Sequence, residues 1–133
     1  DGAVLLAARL APDMLPLVKQ VQIASDAARL SLARLAGIEA PKVEDNEATL
    51  ADLRERVRST IAFVEAIPAA QIDGSEKREV VVPRRDTPLV FAGETYLKHY
   101  ALPNFFFHVT TTYALLRHDG VELGKSDYLG TFS

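Results

Sequence analysis

The longest apolar repeat in the chain lies in its first third. In the segment APDMLPLVKQVQIASDAARLSLARLAG, hydrophobic residues recur at steps of three and four and form one helical stripe of Leu10, Met14, Leu17, Val21, Ala24, Ala28, Leu32 and Leu35. Pro12 and Pro16 are tolerated only near the first turn, where the missing amide proton has no intrahelical partner. The pattern predicts a helix that stops at Gly37 and begins as late as Asp13 to Leu15, with AVLLAARL as a separate turn.

A second helix is predicted from Thr49 onward. Thr49 and Asp52 have the spacing of a variant capping box, which would satisfy the first amide protons of the helix. The apolar stripe that follows consists of Leu50, Leu53, Val57, Ile61 and Val64. The other face carries the charged residues Arg54, Glu55, Arg56, Arg58 and Glu65, which we interpret as charges in solvent.

The segment REVVVPRRDTPLVFAG changes from helical to extended character. Three valines, a Pro-Arg-Arg-Asp-Thr-Pro centre and a Leu-Val-Phe run predict two short strands around a turn. Proline cannot donate to a sheet ladder, so this ribbon is expected at a sheet edge or as a free hairpin. We interpret Arg84 and Arg85 at its tip as solvated.

The last helix is predicted from about Glu94 to His118, with Gly120 as its stop. Pro103 lies inside it and is expected to kink or restart it, because the proline ring displaces the hydrogen bond to residue 99. The polar tail after Gly120 keeps several apolar residues and is expected to lie across the bundle.

Polar side chains on one side of this helix form the candidate site. On a wheel of about 100° per residue, five residues fall within about 40° of one line: Leu97, Asn104, His108, Thr111 and Leu115. Gln20, on the flank of the first apolar stripe, can reach the same interior. A histidine on an apolar helix is also typical of a hydrogen-bonded core residue, so a functional and a structural interpretation both stay open.

The three histidines do not converge on a metal. His99 lies about 180° from His108 on the wheel, and His118 lies about 80° away, where it is expected to cap the last carbonyls. Asn104 precedes His108 by one turn, but an amide is a weak ligand for a transition metal. The residues by themselves favour a hydrogen-bonded His108 over a metal-bound one.

Composition narrows the classes of function. The 133 residues, 48% hydrophobic and 25% charged, indicate one soluble domain over 1–133. A formal charge of −3 leaves no positive excess for a phosphate backbone, so nucleic acid is not an expected partner. No apolar run is long enough to span a membrane, and the start lacks a signal-peptide pattern, so we expect a cytoplasmic protein. The absence of cysteine removes thiol nucleophiles, disulfides and thiolate zinc sites.

Two stretches carry a resemblance to a known family. LAPDMLPLVKQVQIASD (10–26) and YLKHYALPNFFFHVTTTYALLRHDGVELGKSDYLG (96–130) resemble a bacterial domain-of-unknown-function family, family nineteen-ninety-three, of the DinB/YfiT-like superfamily of metalloenzymes. The resemblance implies an all-α, up-down four-helix bundle, here with the small β-ribbon between helices. Relatives carry another helix upstream of AVLLAARLAPDM. The chain is therefore expected to lack the first bundle helix and to show an apolar groove, exposed or filled by a partner subunit.

The resemblance also implies where a metal would bind. Many superfamily members hold a divalent ion with one histidine on the second bundle helix and a His-x-x-x-His pair on the last. These positions correspond to Gln20, Asn104 and His108, so one of three histidines remains. Carboxamide oxygens are poor donors to zinc or nickel, and the resemblance therefore implies a degenerate site with His108 as the one remaining metal ligand.

The leading hypothesis is a small-molecule cleft lined by Gln20, Asn104, His108 and Thr111, with His108 as the catalytic acid or base. One alternative is a non-catalytic structural or interaction protein, in which His108 and Asn104 form a buried hydrogen-bond network. Another, by analogy with the superfamily, is a metal-dependent transferase or hydrolase-like enzyme. A homodimer is expected, because the rings of Phe105 to Phe107 cannot all face one core.

Overall fold

Within residues 1–132, which are the part of the chain that the computed structural model describes, three helices have 16 residues or more. The helices and strands in chain order are α1 Gly2–Ala7, α2 Leu17–Ala36, α3 Leu50–Glu65, α4 Ala69–Ile72, a 3₁₀ turn Ser75–Lys77, β1 Glu79–Val82, β2 Leu89–Ala92, α5 Gly93–Tyr96, a π turn Leu97–Ala101, α6 Leu102–His118 and α7 Lys125–Leu129. The predicted helical bundle with a small ribbon is confirmed.

The ends of α2 and α3 follow from local signals. α2 begins directly after Pro16 and ends at Gly37, whose φ of 68° is a left-handed conformation that glycine adopts without strain. At the start of α3, Thr49 accepts a hydrogen bond from the Asp52 amide while the Asp52 carboxylate accepts one from the Thr49 amide. The predicted stop, the predicted capping box and the separate N-terminal turn are all confirmed.

The long connection between α2 and α3, which we call the strap (residues 38–48), returns the chain along α2. Arg29 near the end of α2 donates to the Pro41 carbonyl, and Gln22 near its start donates to Glu47 at 2.7 Å. α3 therefore runs parallel to α2. The expected up-down order is modified at this point, because the long strap lets two consecutive helices run in the same direction. α6 runs antiparallel to α2, because Gln20 meets His108 and Arg34 meets Tyr96.

Arg56 corrects one interpretation of the charged face of α3. Its side chain is only 2% exposed, and its guanidinium lies 2.9 Å from Asp26, 3.1 Å from Asp45 and 2.8 Å from Glu47. Arg29 shares the same Asp26 oxygen at 2.9 Å. The interpretation of Arg56 as solvated is wrong because the strap covers this side of α3 and brings two of the three carboxylates to it.

The ribbon is confirmed, and one of its faces belongs to the core. β1 and β2 pair antiparallel, with Val80 opposite Phe91 and Val82 opposite Leu89. Val80 and Val82 pack with Leu35, Tyr96 and Ala101 in the buried apolar cluster, while Val81 points to solvent. The ribbon thus closes the end of the bundle at which α2 stops.

The predicted disturbance at Pro103 takes the form of the π turn. The last helical segment is continuous from Gly93 to His118, but the Leu102 amide donates to the Leu97 carbonyl, five residues back. Proline has no amide proton and its ring crowds the preceding turn, so one wider turn before Pro103 keeps the helix unbroken. The Pro103 signal therefore predicts the place of the irregularity and not its type.

An apolar groove runs between α2, α3 and α6. Its larger part has a volume of about 520 Å³, and a second part of about 490 Å³ continues it toward α1. Val57 and Ile61 of α3 are 39% and 50% exposed along it. The groove is lined mainly by Val21, Ala24, Val57, Ile61, Val64 and Phe105. The expected exposed apolar surface is present; the upstream helix itself stays a prediction of the resemblance.

The outer side of α6 and the tail add two further facts. Phe106 and Phe107 are about half exposed, so the homodimer through these rings stays a prediction. The tail contains α7, a helix that the pattern did not indicate, and Tyr128 of α7 accepts a hydrogen bond from Thr110 and packs on Tyr113. No helix among residues 1–132 combines the length and hydropathy that a membrane span requires.

Candidate functional site

A direct hydrogen bond joins Gln20 and His108, two of the three positions that the resemblance brings together. His108 Nδ1 lies 2.7 Å from Gln20 Oε1, and both residues are buried, at 9% and 2% exposure. Gln20 lies in the first turns of α2 and His108 near the middle of α6, so the antiparallel packing of the two helices sets this contact. The predicted proximity of the amide and the imidazole is therefore present in the fold.

The hydrogen bond to Leu15 fixes which way the Gln20 amide points. Gln20 Nε2 donates to the Leu15 carbonyl at 3.2 Å, so the atom that faces His108 is the oxygen. An amide oxygen can only accept, and His108 Nδ1 must therefore carry the proton of this bond. In the neutral ring the lone pair is then on Nε2, which has no hydrogen-bond partner within residues 1–132.

Burial keeps this ring neutral. Desolvation of the charged form lowers the pKa of His108 below its ordinary value of 6.5. Phe107 adds an edge-on ring with its centroid 5.0 Å from that of His108. At neutral pH the site thus presents an uncharged imidazole with a defined tautomer, which is the form that accepts a proton or binds a metal.

We expect His108 to titrate below pH 6.5, because burial destabilises its charged form. The folded protein then binds fewer protons than the unfolded chain just below that pH. The contribution of His108 to stability is therefore full above about pH 6.5 and is lost as the pH falls toward the lower folded-state pKa. NMR titration of the imidazole carbon-bound protons measures this pKa, and His108→Gln identifies the resonance among the three histidines. A pKa at or above 6.5 would contradict the expected burial effect.

The other predicted site residues lie near this pair but differ in their surroundings. Thr111 is buried one turn after His108. Thr112 donates to the His108 carbonyl at 2.8 Å, an ordinary bond for a threonine within a helix. Asn104, one turn before His108, is half-buried and faces a cleft. His99 and His118 are both exposed, away from His108.

The cleft beside Asn104, which we call the polar cleft, lies between α2, the ribbon and the π turn and has a volume of about 200 Å³. Its polar lining consists of Asp26, Arg34, Tyr96, Tyr100 and Asn104. Its apolar lining consists of Ile23, Ala27, Leu30, Val82 and Ala101. Of the four residues predicted to line one pocket, Asn104 lines this cleft, whereas Gln20, His108 and Thr111 are not part of its lining.

The side chains at this site do not fit the metal that the superfamily implies. Gln20 uses its oxygen to accept from His108 and its nitrogen to donate to Leu15, so its amide is already engaged within the fold. Asn104 supplies only an amide, which is a poor donor to zinc or nickel. Within residues 1–132 no three His, Asp or Glu residues are grouped to hold an ion. His108 would be a single nitrogen ligand, and no chemical step is derived through a metal.

Two features of the site were missed by the pattern analysis. The polar cleft depends on the ribbon and the π turn, which the sequence does not place against α2. Its one signal in the sequence is a spacing that puts four residues on one face of α2: Ile23, Ala27, Leu30 and Arg34. The ion cluster around Arg56 was signalled by its position, because Arg56 follows Leu53 by three residues and directly precedes Val57, at the edge of the apolar stripe.

Comparisons with known proteins agree with this fold. The family model described as "Domain of unknown function (DUF1993)" matches residues 1–129. A crystal structure of a DinB family member protein from Shewanella denitrificans is similar, with 41% sequence identity and a TM-score of 0.87. The match covers 98% of this chain and 74% of that chain. A search of curated proteins finds no match.

Proposed function

Because the chain belongs to the DUF1993 family, and membership of this family assigns no activity, we propose a function from the site itself. The protein binds a small molecule in the polar cleft, and His108 is the group that exchanges a proton with that molecule. The observation that carries this proposal is the hydrogen bond from His108 to Gln20, which leaves the second ring nitrogen with its lone pair free.

Gln20 supports this role by orienting the imidazole. A base must hold its lone pair in a fixed direction, and a carbonyl-type acceptor on the opposite nitrogen sets both the ring angle and the tautomer. Gln20 is itself held by Leu15, so the chain from Leu15 through Gln20 to His108 is fixed at both ends. When Nε2 takes a proton, the charged ring keeps its bond to the Gln20 oxygen.

The lowered pKa of His108 agrees with a role as a general base rather than a general acid, because the imidazole is neutral before a ligand binds. Desolvation holds His108 in its neutral form at neutral pH, ready to accept a proton from a bound ligand. Asn104 lines the polar cleft one helical turn before His108 and can donate or accept a hydrogen bond to a bound ligand.

The second candidate is a structural role for the same pair, favoured by the burial of both residues. A buried histidine must be hydrogen-bonded in any fold, and the bond to Gln20 satisfies that need without a ligand. In that case a substitution at His108 lowers stability and changes nothing else.

A ligand screen with matched histidine variants separates the two candidates. We expect at least one small polar metabolite to raise the melting temperature of the wild-type protein near neutral pH, because a ligand that binds only the folded state stabilises it. His108→Ala should abolish this shift. His118→Ala, which removes an exposed histidine from the end of the same helix, should retain it.

The contrary results are equally defined. If no metabolite shifts the wild-type protein, or if His108→Ala responds to ligand as the wild type does, the proposed function is wrong. A His108→Ala protein that is less stable but has the same ligand response supports the structural role. Calorimetric titration of any hit with both variants then gives the affinities directly.

A further inference from the structure

Arg34 differs from the other two arginines that α2 and α3 turn inward. Arg29 pairs with Asp26, and Arg56 pairs with Asp26, Asp45 and Glu47. Arg34 is half-buried, yet no ion pair within residues 1–132 includes it, and its one hydrogen bond is from Nη1 to the Tyr96 hydroxyl at 3.0 Å. A guanidinium has five N–H donors, so most of its donors are free for another partner.

The position of this guanidinium is fixed by Tyr96. Tyr96 is 1% exposed within the buried apolar cluster, and the Arg34 guanidinium carbon lies 6.0 Å from the centre of its ring. The hydrogen bond and the cation–π contact hold the side chain at the wall of the polar cleft. A ligand therefore meets an arginine that is already ordered, which lowers the entropy lost on binding.

The charge inside the polar cleft also favours an anion. Asp26 is the one carboxylate among the lining residues, and one of its oxygens already receives hydrogen bonds from both Arg29 and Arg56 at 2.9 Å. Its negative charge is thus paired with Arg29 and with Arg56, which also contacts Asp45 and Glu47. Among residues 1–132 no carboxylate pairs with Arg34, so the Arg34 end of the cleft remains positive.

Size and wall chemistry limit the kind of anion. At about 30 Å³ per water, a volume of about 200 Å³ holds roughly seven water-sized groups, which suits a ligand with a similar number of heavy atoms. The walls at Ile23, Leu30 and Val82 are apolar, and Tyr100 adds an aromatic ring. One planar guanidinium matches one carboxylate through two parallel hydrogen bonds, whereas a doubly charged phosphate would call for more positive charge.

We propose that the polar cleft binds a small organic carboxylate with an apolar or aromatic body, anchored through its carboxylate to Arg34. This carboxylate would be the ligand of the polar cleft in the proposed function. Only the orientation of the ligand's other end, toward Asn104, rests on that function. The anchoring itself requires nothing of His108.

The test uses benzoate and its neutral counterpart benzyl alcohol as probes, with amide chemical shifts in a two-dimensional NMR spectrum as the readout. Benzoate at millimolar concentration should shift residues around the cleft, and benzyl alcohol should bind more weakly. Arg34→Met should weaken benzoate binding roughly 10- to 100-fold, because charged hydrogen bonds are lost. Arg34→Lys keeps the charge but not the planar fork and should give a smaller loss.

One matched control defines the outcome. Arg58→Met removes an exposed arginine of α3 and should leave benzoate binding unchanged. The proposal is overturned if the alcohol binds as well as benzoate, if wild-type protein ignores millimolar benzoate, or if Arg34→Met binds it normally. If the spectrum shows that Arg34→Met is unfolded, the test uses benzoate binding to Arg34→Lys and benzyl alcohol binding to the wild type instead. Benzoate binding that needs Arg34, together with a screen that shows no role for His108, would contradict the proposed function alone.

Discussion

Arg56→Met is expected to destabilise the protein by about 3–5 kcal/mol, the usual cost of removing one partner from a buried ion cluster. Methionine preserves most of the apolar stem, so the change isolates the guanidinium. Its loss leaves Glu47, whose side chain is only 7% exposed, without its 2.8 Å partner and leaves Asp26 and Asp45 each with one fewer cation. It also frees the Glu44 carbonyl of the strap, to which Arg56 donates at 3.1 Å. Chemical denaturation measures the free energy of unfolding for both proteins.

Arg58→Met is the matched control for this substitution. Arg58 lies two residues further on the same helix, its side chain is 75% exposed, and its carboxylate partner is 3.9 Å away. Exposed pairs of this kind contribute between zero and about 1 kcal/mol, so the control should be close to wild type. Equal losses for the two variants would show that the strap does not depend on the Arg56 cluster.

Lowering the pH should reduce the difference in unfolding free energy between the wild type and Arg56→Met. In the wild type, desolvation raises the pKa of Glu47, but the hydrogen bonds from Arg56 and Gln22 outweigh it and leave the pKa below its usual 4.5. A carboxylate with a lowered pKa stabilises the fold above its unfolded-state pKa and loses that contribution as the pH falls through the folded-state pKa. In the variant the desolvation remains without Arg56, so protonation of Glu47 relieves the buried charge. Chemical denaturation of both proteins at about pH 4 tests whether the difference in unfolding free energy becomes smaller.

Gly93→Ala is expected to destabilise the protein by about 3 kcal/mol, at the upper end of the usual range for overpacking. Gly93 is buried where β2 passes into α5, and a Cβ there would lie 2.0 Å from the Ser75 backbone carbonyl oxygen and 3.1 Å from its carbon. Neither atom belongs to a side chain that could rotate away, so the 3₁₀ turn and α5 must separate. That separation opens the buried cluster around Tyr96 and Leu35. Thermal unfolding followed by circular dichroism measures the loss.

Gly124→Ala is the control for the glycine substitution. Its Cβ would meet only side-chain atoms of Asp127 and Ser126, at 3.8 and 3.9 Å, and its φ of −133° suits any residue. We expect a melting temperature close to that of the wild type. If Gly93→Ala were equally harmless, the close contact between the two backbone segments would not be present in solution.

The parts of the fold that were predictable depend on neighbours in the sequence. The stop at Gly37 and the Thr49 capping box involve residues within one helical turn, and both are present as predicted. The contact between Gln20 and His108 is a long-range feature, yet it was predictable because each residue occupies a definite side of a periodic helix and the resemblance paired the two positions.

The parts that were not predictable depend on segments that meet only after folding. Arg56 was interpreted as solvated because helix periodicity does not show that the strap will return along α2 and carry Asp45 and Glu47 to it. The free charge of Arg34 is visible only in the folded chain, since Tyr96, its one hydrogen-bond partner among residues 1–132, is 62 residues away. In both cases side chains from the rest of the fold decide whether an arginine is neutralised.

The π turn at Leu97–Ala101 allows the two ends of one long helix to pack against different neighbours. A uniform α-helix would couple them rigidly, so that a side chain chosen to suit the ribbon would also dictate the angular position of the imidazole. One extra residue in the turn adds about 100° of rotation between the two ends. Tyr96 can therefore point into the apolar cluster while His108 independently faces Gln20. Removing one residue from this turn would rotate one end of the helix relative to the other, which makes the length of this short segment a determinant of the site.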